Sequence, residues 1–453
     1  MHKTERALLA LVLLAYLITA GLYAIRTPPW QAPDEPAHYN YIAQVAGSGC
    51  CPVIEPGDWD SPYLERLKSA RFHPDTLDNL SAIQYEDHQP PLYYLIGALV
   101  FRLTDGSLIA LRLLSVVLGA GVVICAYAVG KLMLPRRPQI ALGAALFVAF
   151  IPQHTAILAA VSNDALAELI VGLGLVGIVR YLRDGSPPAW ALGLLVGAGF
   201  LTKASTFFLA GLVPLAILLR GWALSNRRAR DLLLAWTAFL VPALILGAVW
   251  WGRNLSVYGF PDLFGLARHD LVVTDQLRTA DLIAQIGANA YLQRAVSDTF
   301  NSFWGQFGWM ALPLPSWAYT LIALFLLLAA VGAVIGWLLD RRSPEPALQD
   351  AADSRWKRLA WLALALTVIL GVAQYVYYNS EFVQFQGRYL YPTLIPLGIG
   401  LAIGIDGWRR LIARGVDRRK RLPAFRWLTV AAMALLIPFN LYFVWRVIPL
   451  LAP

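Results

Sequence analysis

Charge is what this sequence has least of. Only 14% of its 453 residues are Asp, Glu, Lys or Arg, against ~25% in an ordinary soluble domain. With 58% hydrophobic residues, that scarcity excludes a soluble enzyme, a disordered scaffold and a nucleic-acid module. Cysteine is scarce as well. Two of the three are adjacent (Cys50, Cys51) and cannot make a disulfide framework, while Cys125 lies in an apolar run as a small packing residue. No HExxH, CxxC pair, P-loop or Rossmann glycine pattern stands in a suitable context, and no GxSxG elbow is present. Scattered carboxylates give only a weak case for a divalent metal, so no metal ligand is assigned and no cofactor is expected to be required.

What is present is a series of long apolar runs. A bilayer core of ~30 Å needs about 20 mostly apolar residues per helix. That ruler gives eleven candidate spans near 7–25, 108–134, 139–158, 164–182, 189–202, 205–220, 232–251, 316–339, 358–378, 390–408 and 427–446. The 189–202 and 205–220 pair is short. Segment 91–103 is too short to span and reads as an interfacial helix. The expected class is an all-α polytopic membrane protein forming one integral membrane domain over 1–453. The first run is long for a signal peptide and reads as a retained span.

The net charge of +9 follows the spans. With the N-terminus placed in the cytoplasm, 24 of the 37 Lys and Arg fall on that side, as the positive-inside rule expects. The basic run at 409–421 then reads as an anchor on anionic lipid, and nucleic acid is not an expected partner. The C-terminus falls outside. Two long segments, 26–106 and 252–315, face outward, and 340–357 is a polar cytoplasmic linker. Both outward segments are rich in aromatics, which suits a folded cap lying at headgroup depth. Of the 28 acidic residues 19 lie on the outward side.

The most pointed acidic cluster is Pro33-Asp34-Glu35-Pro36-Ala37-His38-Tyr39, directly after the first span. Asp34 reads as an N-cap, with Pro36 in the first turn of a short helix running through Ile42. On one account the two acids only cap that helix. On the other, partial burial at the bilayer rim raises a carboxylate's basicity enough for general-base work. A second cluster, Asp87-His88-Gln89-Pro90-Pro91-Leu92-Tyr93-Tyr94, opens the 91–103 helix. His88 is a candidate phosphate donor there, although a lone His is more often neither ligand nor donor. Three cations, Lys203, Arg388 and Arg112, sit at or near the outer face. They either snorkel to headgroups or converge on a lipid phosphate or pyrophosphate. Asp164 and Glu168, at the outward end of the fourth span, join the candidates because ionisable groups within spans are functional by default.

In this order along the chain, the Asp-Glu pair after the first span, Pro-Pro-Leu-Tyr-Tyr, Ala-Leu-Arg-Leu-Leu-Ser and Leu-Thr-Lys resemble the GT-C superfamily of polytopic glycosyltransferases that use polyprenyl-phosphate-linked sugars. The sequence is most similar to glycosyltransferase family 39 and its bacterial relatives, the protein O-mannosyltransferases and lipid A aminoarabinose transferases. Phe303-Trp304-Gly305-Gln306-Phe307-Gly308-Trp309 and Gln386-Gly387-Arg388-Tyr389-Leu390-Tyr391-Pro392 resemble a bacterial subgroup of predicted membrane proteins.

The resemblance implies inverting sugar transfer from a polyprenyl-phosphate donor to a glycan, lipid or protein acceptor at the extracytoplasmic face of the bacterial cytoplasmic membrane. By position, Asp34 matches the acid that acts as base or binds acceptor, with Glu35 as its partner. Lys203 matches a lysine directed at the carrier phosphate. Arg388 would share that work, with Arg112 or His88 in support, and Asp164 matches an acid at the corresponding span. Tyr93 belongs to the shared interfacial motif. Gln89 departs from the lysine that aminoarabinose transferases carry there, so one phosphate contact would be missing. Rival readings are a lipid-linked-sugar transporter or flippase and an O-antigen ligase or polymerase. A transporter would place its polar groups near the bilayer midplane within repeated halves, and neither feature is evident.

Overall fold

The computed structural model describes residues 3–224, 228–342, 355–415 and 423–453. Among the described residues, nine helical stretches are long and apolar enough to cross a membrane. The first is α1 (Lys3–Arg26). Then α2 (Glu35–Ser48), α3 (Ser61–Ser69) and α4 (Leu92–Leu103) form within the first long loop. The bundle continues through α5 (Leu108–Met133), α6 (Pro138–Phe150), α7 (Pro152–Ile157), α8 (Asp164–Asp184), α9 (Ala189–Phe200), α10 (Leu209–Leu219) and α11 (Ala229–Tyr258). The second loop holds α12 (Leu266–Val272), α13 (Thr279–Ile286) and α14 (Ala288–Trp304). The last spans are α15 (Ser316–Arg342), α16 (Arg355–Glu381) and α17 (Leu394–Gly415), followed by α18 (Leu428–Ala434) and α19 (Leu436–Arg446). The only sheet among the described residues pairs Gln306–Phe307 with Leu312–Pro313.

Nine long spans and two shorter helices account for the eleven expected runs. The run at 139–158 is divided because Pro152 cannot donate into a continuing helix. The expected run at 189–202 is the 12-residue α9. The expected interfacial helix at 91–103 is α4, whose first residue is Leu92. Helix α11 runs to Tyr258, so the second loop begins later than the expected 252. The linker at 340–357 falls largely outside the described residues. Of the basic run at 409–421, residues 409–415 close α17, where Arg409 pairs with Asp406 and Arg410 with Asp340, and the remainder lies outside the described residues.

A large core of buried residues joins the spans. A second, smaller core joins the two loops: Ile54, Tyr63, Leu67, Phe72 and Tyr85 of the first loop pack with Val272 and Val273 of the second. The loops therefore form one cap over one end of the bundle. Cys50 and Cys51 are bonded to one another just past α2, a link that ties no distant elements together.

Candidate active site

The two motifs singled out late in the sequence meet at this loop-bearing end. Ser302 Oγ accepts from the Gly387 backbone N–H at 2.8 Å, and the Tyr391 hydroxyl donates to the Phe303 carbonyl at 3.0 Å. Gly387 packs so closely that a Cβ there would run into the Phe303 backbone. This contact aims the next residue, Arg388, at the start of α2. Its Nη2 donates to Asp34 Oδ2 at 2.5 Å, and the Tyr85 hydroxyl donates to Oδ1 at 2.9 Å.

Asp34 stands at the N-cap position of α2, but its side chain caps nothing and its backbone is left-handed, with φ +64°. That corrects the simple capping account: the carboxylate is spent on Arg388 and Tyr85. The expected rise in basicity is corrected as well. Burial alone would raise the carboxyl, but the Arg388 guanidinium, aided by His38 and the Tyr85 hydroxyl, holds it well below the usual carboxylate range.

Across the site, Lys203 Nζ donates to Asp164 Oδ1 at 2.6 Å. Lys203 sits in the turn after α9, which the start of α4 pins through Leu92 N–H to the Leu201 carbonyl at 2.8 Å. His38 lies between the two ion pairs, with Asp34, Glu86, Lys203 and Asp164 all acting on it electrostatically. Its Nδ1 is 2.9 Å from the Tyr94 hydroxyl, and burial lowers its pKa. Asp34, His38, Glu86, Asp164, Lys203 and Arg388 thus form one charged cluster.

Glu35 and Arg112 do something else. Arg112 donates from Nε and Nη2 to the Glu35 carboxylate at 2.8 and 2.6 Å. Its other N–H groups go to the carbonyls of Ala24, Thr27 and Pro28. All five donors of the guanidinium are committed, which corrects the expectation that Arg112 meets a donor phosphate. Glu35 accepts in addition from the N–H of Trp30 and of Val161. One residue on, Ser162 N–H donates to the Tyr93 hydroxyl, itself 2.9 Å from Ser115 Oγ. Glu35 and Tyr93 therefore hold the 161–163 turn that delivers Asp164.

His88 is also corrected as a phosphate donor. Its Nδ1–H donates to the Tyr85 carbonyl and its Nε2 faces the Gln89 amide, so the hydrogen-bond network assigns a neutral ring. Burial pushes its pKa down to about 4, and the ring packs 4.3 Å from that of His269. Gln89 Oε1 accepts from Asn163 Nδ2 at 3.3 Å. Glu168 lies one turn deeper on α8 and meets buried His154 at 2.6 Å. Among the described residues, no group of three or more His, Cys, Asp or Glu is arranged to hold a metal ion.

Residues 65–397 match a family described as predicted membrane protein, DUF2142. The chain belongs to that family. The DUF2142 sequence matches no curated protein. The crystal structure of ArnT from Cupriavidus metallidurans in the apo state is similar with a TM-score of 0.51 at 15% identity, covering 98% of this chain and 72% of that one. The structure of ArnT bound to undecaprenyl phosphate gives 0.48 at 15%, covering 98% and 73%. The apo comparison shows that this DUF2142 chain has the ArnT fold, the GT-C-like architecture expected from the motifs.

Two members of the charged cluster carry no distinguishing mark in the sequence. His38 stands inside the Asp34 motif with nothing local to mark a role, and Glu86 is one acid among many in the first loop. Glu86 has a buried Oε2 with no hydrogen-bond partner, and burial raises its pKa despite nearby His38. Its position directly before Asp87-His88 was the available signal.

Proposed function

We propose that this protein is an inverting membrane glycosyltransferase. It moves a sugar from a polyprenyl-phosphate carrier to an acceptor at the loop-bearing face, which the distribution of basic residues assigns to the extracytoplasmic side of a bacterial cytoplasmic membrane. The observation that carries the reading is the half-open cluster in which Arg388 and Lys203 each hold a carboxylate, with side-chain exposures of 9% and 19%. Two cations so placed at a membrane rim suit a lipid phosphate. The fold supports the same carrier class, since ArnT has been crystallised with undecaprenyl phosphate.

In the proposed reaction the acceptor hydroxyl oxygen attacks the anomeric carbon and the carbon–oxygen bond to phosphate breaks. The bonding pair leaves on the carrier phosphate, whose charge Arg388 and Lys203 stabilise, so no general acid is needed. The acceptor proton passes to Asp34. In the structure Arg388 suppresses the basicity of Asp34; a phosphate that engages Arg388 weakens that hold and frees the carboxylate to act as base. Glu35, Arg112 and Tyr93 position the site without touching substrate. The scheme calls on no metal or other cofactor.

The test uses purified full-length protein in nanodiscs. Undecaprenyl phosphate should bind the wild type, and Arg388→Ala and Lys203→Met should weaken it. In membranes, Asp34→Asn should retain carrier binding while losing glycan transfer. Unchanged carrier affinity in both cation variants, or wild-type transfer by Asp34→Asn, would sink the reading.

A further inference from the structure

One turn of α8 below the charged cluster lies a buried pair that the transfer scheme does not use. His154 of α7 and Glu168 of α8 are both buried, with Nε2 and Oε2 2.6 Å apart. The break in α6 prepares this contact. In an unbroken helix the amide of residue 152 would bond the Val148 carbonyl, but Pro152 has no N–H to give. His154 Nδ1 takes that carbonyl at 2.7 Å, and Thr155 Oγ1 donates to the next one, Ala149, at 3.0 Å. A carbonyl only accepts, so the network assigns a hydrogen to Nδ1. The short contact from Nε2 to Oε2 must then hold a proton of its own, whichever atom carries it. The pair is neutral as a unit, and an ionisable pair kept within a span is a functional candidate.

Each member leads back to one half of the cluster. Glu168 follows Asp164 by four residues on the same face of α8, and Asp164 holds Lys203 at 2.6 Å. On the other side, the His154 ring meets the Tyr391 ring edge-on, with centroids 4.9 Å apart. Tyr391 follows Arg388 by three residues in the 3-10 turn Gly387–Thr393, where positions i and i+3 eclipse. The Tyr391 hydroxyl is fixed in turn on the Phe303 carbonyl. A continuous strut thus runs from Lys203 through Asp164, Glu168, His154 and Tyr391 to Arg388. An apolar contact at its centre could slide without loss, whereas a hydrogen bond weakens steeply when displaced.

We propose that His154 and Glu168 are positioning residues that set the separation of Lys203 and Arg388, so that one carrier phosphate meets both. The occupant of the gap rests on the transfer reading above; the strut itself does not.

The test uses the full chain in nanodiscs. Glu168→Leu removes the hydrogen bond without stranding a charge, and Tyr391→Leu cuts the strut while leaving the pair intact. Both should speed hydrogen exchange over 386–393 and lower transfer about 10²-fold, the cost of a small misplacement. Glu168→Gln should restore both, because an amide can donate to Nε2 or accept from it. In an otherwise wild-type background, the losses of undecaprenyl phosphate affinity from Arg388→Ala and Lys203→Met should be non-additive, since one phosphate meets both cations. With Glu168→Leu or Tyr391→Leu added, they should become additive, a change that a merely structural role would not produce. If Glu168→Leu does not fold, Tyr391→Leu carries the same readouts. Wild-type exchange and transfer in the leucine variants, no rescue by Glu168→Gln, or unchanged coupling between the two cations would overturn the proposal. Failure of the wild type to bind carrier, with the exchange pattern as expected, would leave the strut standing and sink the transfer reading instead.

Discussion

Asp34 and Glu35 are neighbours in the chain and each pairs with an arginine, but the two pairs are built in opposite ways. Glu35–Arg112 is sealed, with side-chain exposures of 0% and 2%. Its guanidinium has no donor left over, and its carboxylate also receives two backbone N–H groups. Asp34–Arg388 is half-open, at 20% and 9%, and the buried Arg388 Nε has no hydrogen-bond partner. A sealed pair with every valence met fixes geometry: it ties the end of α1, the start of α2 and the turn before α8 to one point. A half-open pair with an unspent donor can exchange its partner for a ligand. The left-handed backbone at Asp34 makes the division, turning one acid to the cluster while the next remains in the core.

The largest effect expected from breaking this comparison is on the sealed side. Glu35→Gln leaves the Arg112 charge buried and uncompensated, and removing one partner of a buried pair costs about 3–5 kcal/mol. A thermal-unfolding measurement in detergent should show a strongly lowered midpoint, and Arg112→Met should do the same from the other side. Near-wild-type midpoints for both would mean that the sealed pair is no scaffold.

On the half-open side the loss moves from stability to function. Arg388→Ala should lower sugar transfer by about 10²–10³-fold, the range for removing one preorganised donor to a developing charge. Its unfolding midpoint should move far less than that of Glu35→Gln. Lys203→Met should cost less, about tenfold, because an ammonium offers a point charge where a guanidinium offers a fork. Transfer rates at saturating carrier, set beside unfolding midpoints for the same proteins, check both. If Arg388→Ala unfolds the protein as Glu35→Gln does, the two pairs are alike and the distinction fails.

The sequence showed which residues were candidates more clearly than what each would do. The spans were legible because apolar run length is a local property. Lys203 with Asp164, and Arg388 with Asp34, were named because charges at span ends stand out against apolar neighbours. Their pairing was not legible, since Asp34 and Arg388 are brought together by a contact between Gly387 and Phe303 that no local pattern encodes. Arg112 and Arg388 looked equivalent as lone cations. What tells them apart is the sealed setting of Arg112, whose remaining N–H groups meet the carbonyls of Ala24 in the last turn of α1 and of Thr27 and Pro28 just beyond it. Glu86 escaped because a loop acid among many carries no mark of burial. The break at Pro152 was visible as a proline, yet the ruler of about 20 residues counted 139–158 as one span, while the shortness of 189–202 was already legible from its run length.

Asp87 extends the comparison to a buried carboxylate without a direct ion pair among the described residues. Gln44 Nε2 donates to its Oδ2 at 2.8 Å, while its buried Oδ1 has no hydrogen-bond partner. Burial raises its pKa to about 8, against the lowering effect of the Gln44 hydrogen bond. An unfolded Asp titrates near ~3.9, so the folded form retains its proton over the interval in which the unfolded form loses it. Below that interval both states are protonated and the native state bears no ionisation penalty. As pH rises from ~3.9 towards 8 the unfolded state is favoured progressively, and stability falls. Asp87→Asn keeps an acceptor for Gln44 and removes the titration. The variant should match the wild type near pH 4 and exceed it increasingly up to pH 8, where its midpoint should lie on the order of 2–4 °C higher. Thermal unfolding across that range checks the sign. An advantage that is largest at low pH would mean that Asp87 is held as a carboxylate, as Asp34 is, and that a cation serves it after all.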